Sequence, residues 1–310
     1  MKKFLIFLFC FAIAGSLQAG NFQNFLDRVH SLPDSLRPAV VDSFMNSVPG
    51  FPYVEQDSLV HYIFRGNASS VTIPGDANNW DPAGFAMKRI EGTDLWFCTR
   101  VFEPDARLDY KFVLNGQYWI LDPLNPRRIP GGMGTNSELR MPGYRQSSTT
   151  AYYADIPHGT ITDTLFHSKY LGDSRNIRIY LPPQYQTSQD SFGLVLFHDG
   201  PDYISLAGAD NTLDYLIWKK RIRPVIALFV PPVNRRGEYA GALQPQFEDF
   251  IVKELLPWFD SAYRTRKDPS WRATIGASNG GNIALYLAVA HPRLFGKVGV
   301  QSSNVQPSIL

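Results

Sequence analysis

The spacing of apolar residues changes character three times along this chain. Residues 4–14 form an unbroken apolar run behind Lys2 and Lys3. Phe22, Phe25, Leu26 and Val29 then recur at helical spacing, and a second helical run, 36–45, follows a Pro-Asp-Ser start signal. From 52 to 142 the runs are short, aromatic and β-branched, which predicts strands at 59–64, 70–74, 85–90, 96–102, 108–114 and 118–121. Turn residues separate them, and Asn115-Gly116 between two apolar runs predicts a hairpin. Short strands at this spacing predict an all-β immunoglobulin-like sandwich.

Residues 143–158 carry no period and read as a linker. Beyond them strands alternate with helices. Strands are expected at 160–167, 176–181, 193–198, 224–230, 272–275 and 296–301, and helices at 211–220, 247–263 and 280–291. The runs GLVLFH and PVIALFV are near-continuously apolar, as strands covered on both faces are. Alternation of this kind predicts a mostly parallel sheet flanked by helices, over 159–310.

Composition adds three constraints. The eleven-residue apolar run is too short to span a bilayer, so residues 1–19 read as an export signal and place the protein in the periplasm or outside the cell, without a stable membrane anchor. Residues 20–51 are then short helices that need a neighbour to pack on. Removing Lys2 and Lys3 takes the formal charge from +2 to zero, which argues for neither nucleic acid nor an anionic surface as partner. Cys98 is the one cysteine outside the leader, so no intrachain disulfide and no thiolate metal site is expected, and no cofactor is called for. Oligomeric state has no signature here.

The chemistry concentrates in Gly276-Ala277-Ser278-Asn279-Gly280-Gly281, which follows a predicted strand and opens a predicted helix. A nucleophile turn needs this context: Ser278 is lifted clear of the sheet, and Gly276 and Gly280 sit where side chains would collide. The Asn279 N–H, at the start of the helix, is an oxyanion donor. A second donor is expected from the loop His198-Asp199-Gly200-Pro201-Asp202-Tyr203. Pro201 has no N–H, so the donor is another residue of the loop, with Gly200 and Asp202 as the candidates. His198 belongs to an early strand and His291 ends a helix, and both read as structural.

The segments LVLFHDGPDY, RRGEY, ELLP with YRT, ATIGASNGG and HPRLFG occur in this order over about residues 159–303. Together they resemble the enterochelin (enterobactin) esterase-like branch of the α/β-hydrolases, a serine carboxylic-ester hydrolase group related to feruloyl and acetylxylan esterases. The resemblance implies an acyl-enzyme formed on Ser278 with small-molecule or glycan-linked esters, and it puts Arg235, Glu238 and Tyr239 on a loop bordering the site, either at the substrate rim or in a structural ion pair. The β-rich region, through GDANNW, DYKF and Asn115-Gly116, resembles early-set, glycogen-binding-type (family 48) modules, which implies Trp80 and Trp119 as glycan contacts. A buried or structural role for Trp80 stands beside that one.

Thirty-two residues follow Ser278, and they hold one histidine, His291, and no aspartate or glutamate. In this fold the acid and the histidine come after the serine. The expectation is therefore a C-terminally truncated esterase, inactive as it stands. The alternative is a non-catalytic carbohydrate-binding or scaffold protein that carries a relic hydrolase domain.

Overall fold

The computed structural model describes residues 21–132, 134–303 and 305–306. The predicted export signal, 1–19, lies outside the described residues. The chain divides into two compact units, one up to Arg145 and one from Gln146.

In the first unit, helices Asn21–His30 and Arg37–Ser47 precede the strands. The strand Leu59–Arg65 pairs with Tyr53–Glu55 on one side and Leu95–Val101 on the other, and Lys88–Arg89 extends the sheet. This central strand is buried on both faces. Val60, Tyr62 and Phe64 pack with Trp96, Tyr110 and Phe112, while Ile63 packs with Phe22, Phe25, Val29 and Phe44 of the helices. The helices thus bury the apolar stripe that their spacing predicted. The rest of the β region is two further three-stranded sheets rather than one opposing layer. The predicted strand 108–114 is two strands, Arg107–Tyr110 and Phe112–Leu114, because the chain changes partner at Lys111. The first pairs with Asn136–Arg140 and the second with Tyr118–Ile120.

In the second unit a six-stranded sheet runs in the order Thr160–Ser168, Asp173–Leu181, Val225–Val230, Gly193–His198, Arg272–Ala277, Lys297–Gln301. The first two strands are antiparallel and the last four are parallel. Gly193–His198 lies in the middle, with Leu194 and Leu196 fully buried on one face and Phe197 on the other. From it the chain steps to Val225–Val230 on one side. It then crosses over through a helical segment, Gln244 to Ala262, to Arg272–Ala277 on the other. The middle of that segment, Phe250–Leu255, is π-helical and leads into Pro257, whose missing N–H an α-helical ladder would need. Because the chain leaves Gly193–His198 in one direction and returns on its other side, loops diverge at the carboxyl ends of these two strands. That is where open α/β sheets form their crevice, and here those ends are His198-Asp199 and Ala277-Ser278.

Candidate active site

The strand Arg272–Ala277 stops at Ser278, and the helix Asn279–Ala290 starts one residue later. Ser278 has φ 53° and ψ −123°, a conformation that costs a non-glycine residue about 1–3 kcal/mol and persists only where its surroundings enforce it. The surroundings here are close. Ser278 N–H donates to Gln301 O (2.9 Å), and the Ser303 hydroxyl and Asn282 N–H both donate to Ser278 O (2.9 and 3.1 Å). A Cβ on Gly276 would stand 2.0 Å from Gly280 O, so strand and helix can meet only through glycine. The Ser278 residue itself is exposed. Asn279 is the first residue of the helix, and such N–H groups have no intrahelical acceptor.

The neighbouring strand ends in the same crevice. Asp199, in the left-handed region at φ 56°, opens a short helix, Gly200–Ser205, where the sequence predicted only a polar turn. A Cβ on Gly280 would lie 2.7 Å from Asp199 Oδ2, which fixes how near this loop comes to the serine turn. Gly200 is pressed against the next strand, since a Cβ there would meet the Phe229 carbonyl carbon at 2.3 Å. Asp202 N–H donates to Asp199 O (3.0 Å), so the short helix takes up that N–H. Of the two donors the sequence left open, Gly200 is the one whose N–H stays outside these helix bonds.

An ion pair whose partner, Asp199, the sequence did not disclose ties the loops together. Arg235 donates through Nε to Asp199 Oδ1 and through Nη2 to Asp199 Oδ2, both at 2.8 Å, and its Nη2 also reaches Ala277 O at 3.2 Å. The Asp199 hydrogen bonds raise the Arg235 pKa further. Arg235 is half-exposed beside the serine. Glu238 and Tyr239, expected with it at the rim, are instead buried (1% and 0% exposed). Glu238 accepts from Arg175 (3.0 Å) and from the Val233 and Asn234 N–H groups, and the Tyr239 hydroxyl accepts from Asp199 N–H (3.0 Å). Their polar atoms are consumed in holding the 231–240 loop and the Asp199 turn, because a buried carboxylate or phenol needs such partners. Two of the three residues therefore support the site from below.

None of the histidines of the chain is bonded to Ser278. His291 Nε2 meets Glu248 (2.6 Å), His158 meets Asp214 (2.8 Å), and His61 and His167 meet Thr99 and Ser174. His198 lies fully buried beneath the crevice, with Nε2 3.0 Å from Thr274 Oγ1 and Nδ1 without a protein partner. Desolvation holds its imidazole neutral and pushes the pKa down to about 3. The unfolded chain takes up that proton near 6.5, so stability is complete above pH 6.5 and is lost as the pH falls toward 3, by up to about 1.4 kcal/mol per pH unit. His198→Gln is expected to remove this part of the pH dependence. Urea denaturation of both proteins at pH 7 and pH 5 checks it, and identical losses in the two would exclude His198 as the source.

In the first unit, Trp80 is half-buried with Nε1 bonded to Asp76 (3.0 Å), whereas Trp119 is 46% exposed on the hairpin strand Tyr118–Ile120. The two belong to separate elements.

A mostly parallel sheet with a strained, exposed serine between strand and helix is compatible with the α/β-hydrolase type of fold. Residues 168–309 match the family model described as "Putative esterase". The chain is 30% identical over 158 residues to the uncharacterized protein YjcH of Bacillus subtilis, covering 49% of this chain and 65% of that protein. It is 34% identical over 131 residues to the iron(III) salmochelin esterase of Escherichia coli O6:H1, covering 41% and 31%. The chain spans less than two thirds of the length of either relative. Its fold is similar to the crystal structure of the ferric enterobactin esterase from Salmonella typhimurium, with a TM-score of 0.67 at 20% identity over 84% of this chain and 76% of that one.

Proposed function

We propose that this protein is an exported carboxylic-ester hydrolase in which Ser278 attacks the ester carbonyl to form an acyl-enzyme. The Asn279 N–H, joined by that of Gly200, holds the oxyanion. Substrates are esters of the siderophore, feruloyl or acetyl type. The observation that carries this reading is Ser278 itself, exposed at φ 53° on a turn that three hydrogen bonds and Gly276 enforce. The strain is useful only if the hydroxyl must stand clear of the sheet, with helix N–H groups in front of it. The esterase family match and the siderophore-esterase relatives support the reaction class.

The general base is the part that these residues do not supply. All six histidines lie within the described residues, and none of them is hydrogen-bonded to Ser278. Loss of the triad histidine costs about 10⁶-fold in a well-studied serine protease, so the chain by itself is close to inactive. Free imidazole should stand in for the absent base. Hydrolysis of 4-nitrophenyl acetate is expected to rise about tenfold with added imidazole, beyond the imidazole-only background, a fraction of what a fixed base contributes. Ser278→Ala should lose that increment. An increment of equal size in Ser278→Ala would contradict the proposal.

A second reading has one observation in its favour. Trp119 and Tyr118 are exposed at 46% and 62% on one hairpin, as side chains that stack on sugar rings are. On this reading the protein is a carbohydrate-binding or scaffold protein whose hydrolase unit is a relic.

A further inference from the structure

The end of the hydrolase sheet opposite Ser278 carries a cluster of cations that the overall charge conceals. The parallel register sets Gly193 beside Val225, Leu194 beside Arg272 and Ala273 beside Lys297, so the segments entering these four strands share one end of the unit. Into that end run Lys219, Lys220, Arg221 and Arg223 ahead of the second of these strands. Arg266 and Lys267 precede the third, and Lys297 begins the fourth. All seven are exposed, and among the described residues none of them forms an ion pair. Two carboxylates share the entering loops, Asp190, bonded to Ser188 (2.7 Å), and Asp268, bonded to Ser270 N–H (2.8 Å) and acting on Lys297 across space, so the seven cations outnumber them.

The separate loops are physically joined. Arg223 and Arg266 stand over the Trp271 ring, at 4.8 and 4.0 Å from its centroid, and Arg266 N–H donates to Phe192 O (2.8 Å), one residue before the central strand. Trp218 is 43% exposed, with the Lys219 ammonium 3.9 Å from its ring. Beside it lies a groove of about 640 Å³ that Lys220, Arg221 and Arg223 line, with Pro183 and Ile217 below. Helix C-termini attract cations, which accounts for Lys219 and Lys220 after the helix Ala209–Trp218. It does not account for Arg223, Arg266, Lys267 or Lys297, which enter from other loops.

We propose that this face docks the hydrolase unit on a bilayer of anionic phospholipid. Unpaired cations reach for lipid phosphates, and an indole beside them settles at headgroup depth, where one side of the ring is apolar and the other wet. The strand Arg272–Ala277, six residues at about 3.3 Å each, then holds Ser278 roughly 20 Å from the lipid, open to substrate in the aqueous phase. Seven exposed cations at one end also explain how a chain of near-zero charge binds an anionic surface.

The test is co-sedimentation of the chain with vesicles of phosphatidylcholine alone and with 30% phosphatidylglycerol, in about 0.1 M salt, where charges beyond ~10 Å are screened. Binding is expected with phosphatidylglycerol only, and to fall steeply as salt rises. A juxtamembrane cation is worth about fivefold in partitioning, so the variant Lys219→Gln, Lys220→Gln, Arg221→Gln is expected to bind about 100-fold more weakly, with circular dichroism unchanged. Equal binding to the neutral vesicles, or a triple variant that binds like the parent, overturns the proposal. So does release by millimolar inorganic phosphate or by short duplex DNA, which would identify a small-anion site or a nucleic-acid face instead. The salt series on the parent chain decides the question independently should the variant misfold.

Discussion

Gly276→Val is expected to cost the second unit about 3–5 kcal/mol, a large part of the 5–15 kcal/mol that holds a typical domain folded. The obstacle is backbone, not side chain. A Cβ at 276 would stand 2.0 Å from Gly280 O and 2.1 Å from Gly280 C, so no rotamer change relieves it. The start of the helix Asn279–Ala290 must move away from the sheet, and with it Ile283, Ala284 and Leu287, all fully buried. Gly280→Ala is the informative contrast. There the nearest atom is Asp199 Oδ2 at 2.7 Å, the end of a side chain that can swing at the expense of its bond to Arg235. That variant should lose only about 1 kcal/mol, in the range of one hydrogen bond. Urea denaturation followed by fluorescence orders the two, and a Gly276→Val midpoint equal to that of the parent would contradict the close approach of strand and helix.

Much of the second unit was legible because its signals are local. The run GLVLFH is the strand Gly193–His198 to the residue, since a strand covered on both faces is apolar at nearly every position, His198 at its end excepted. The turn at Ser278 was legible for the same kind of reason: glycines two residues either side of a serine, between an apolar strand and a helix, leave the backbone few alternatives. The strands Tyr53–Glu55, Arg128–Ile129 and Asn136–Arg140 were not foreseen, being short or rich in polar residues. The helices Gly200–Ser205 and Arg235–Ala240 are six residues each, too short to show a period.

Pairings distant in sequence left no trace that a single chain could reveal. Asp199 and Arg235 are 36 residues apart. Both stood in segments singled out for their motifs, yet only the crevice between two strand ends brings them together. The burial of Glu238 and Tyr239 is equally a property of packing, because a polar loop residue and one that turns inward to bond Arg175 or Asp199 look alike in sequence. The basic end of the sheet was hidden most thoroughly. Summed over the chain the charges leave a net of only +2, and only the parallel register gathers positions 219–223, 266–267 and 297 at one end.

The central claim is that position 278 holds its nucleophilic atom in the open, in front of main-chain N–H groups that stabilise negative charge. Ser278→Cys isolates that claim from the question of the base, because a thiolate is nucleophilic without one. A thiol at a helix N-terminus titrates below its ordinary value of about 8.5. Cys98, buried and with its pKa raised by desolvation, is an internal reference. In a chain that also carries Cys10→Ala, the Ser278→Cys thiol is expected to react with Ellman's reagent at neutral pH at least a thousandfold faster than Cys98. The pH dependence of that rate should report a thiol well below about 8.5. A thiol at 278 that stays unreactive until the protein is unfolded, or that titrates at the ordinary value, would contradict the account.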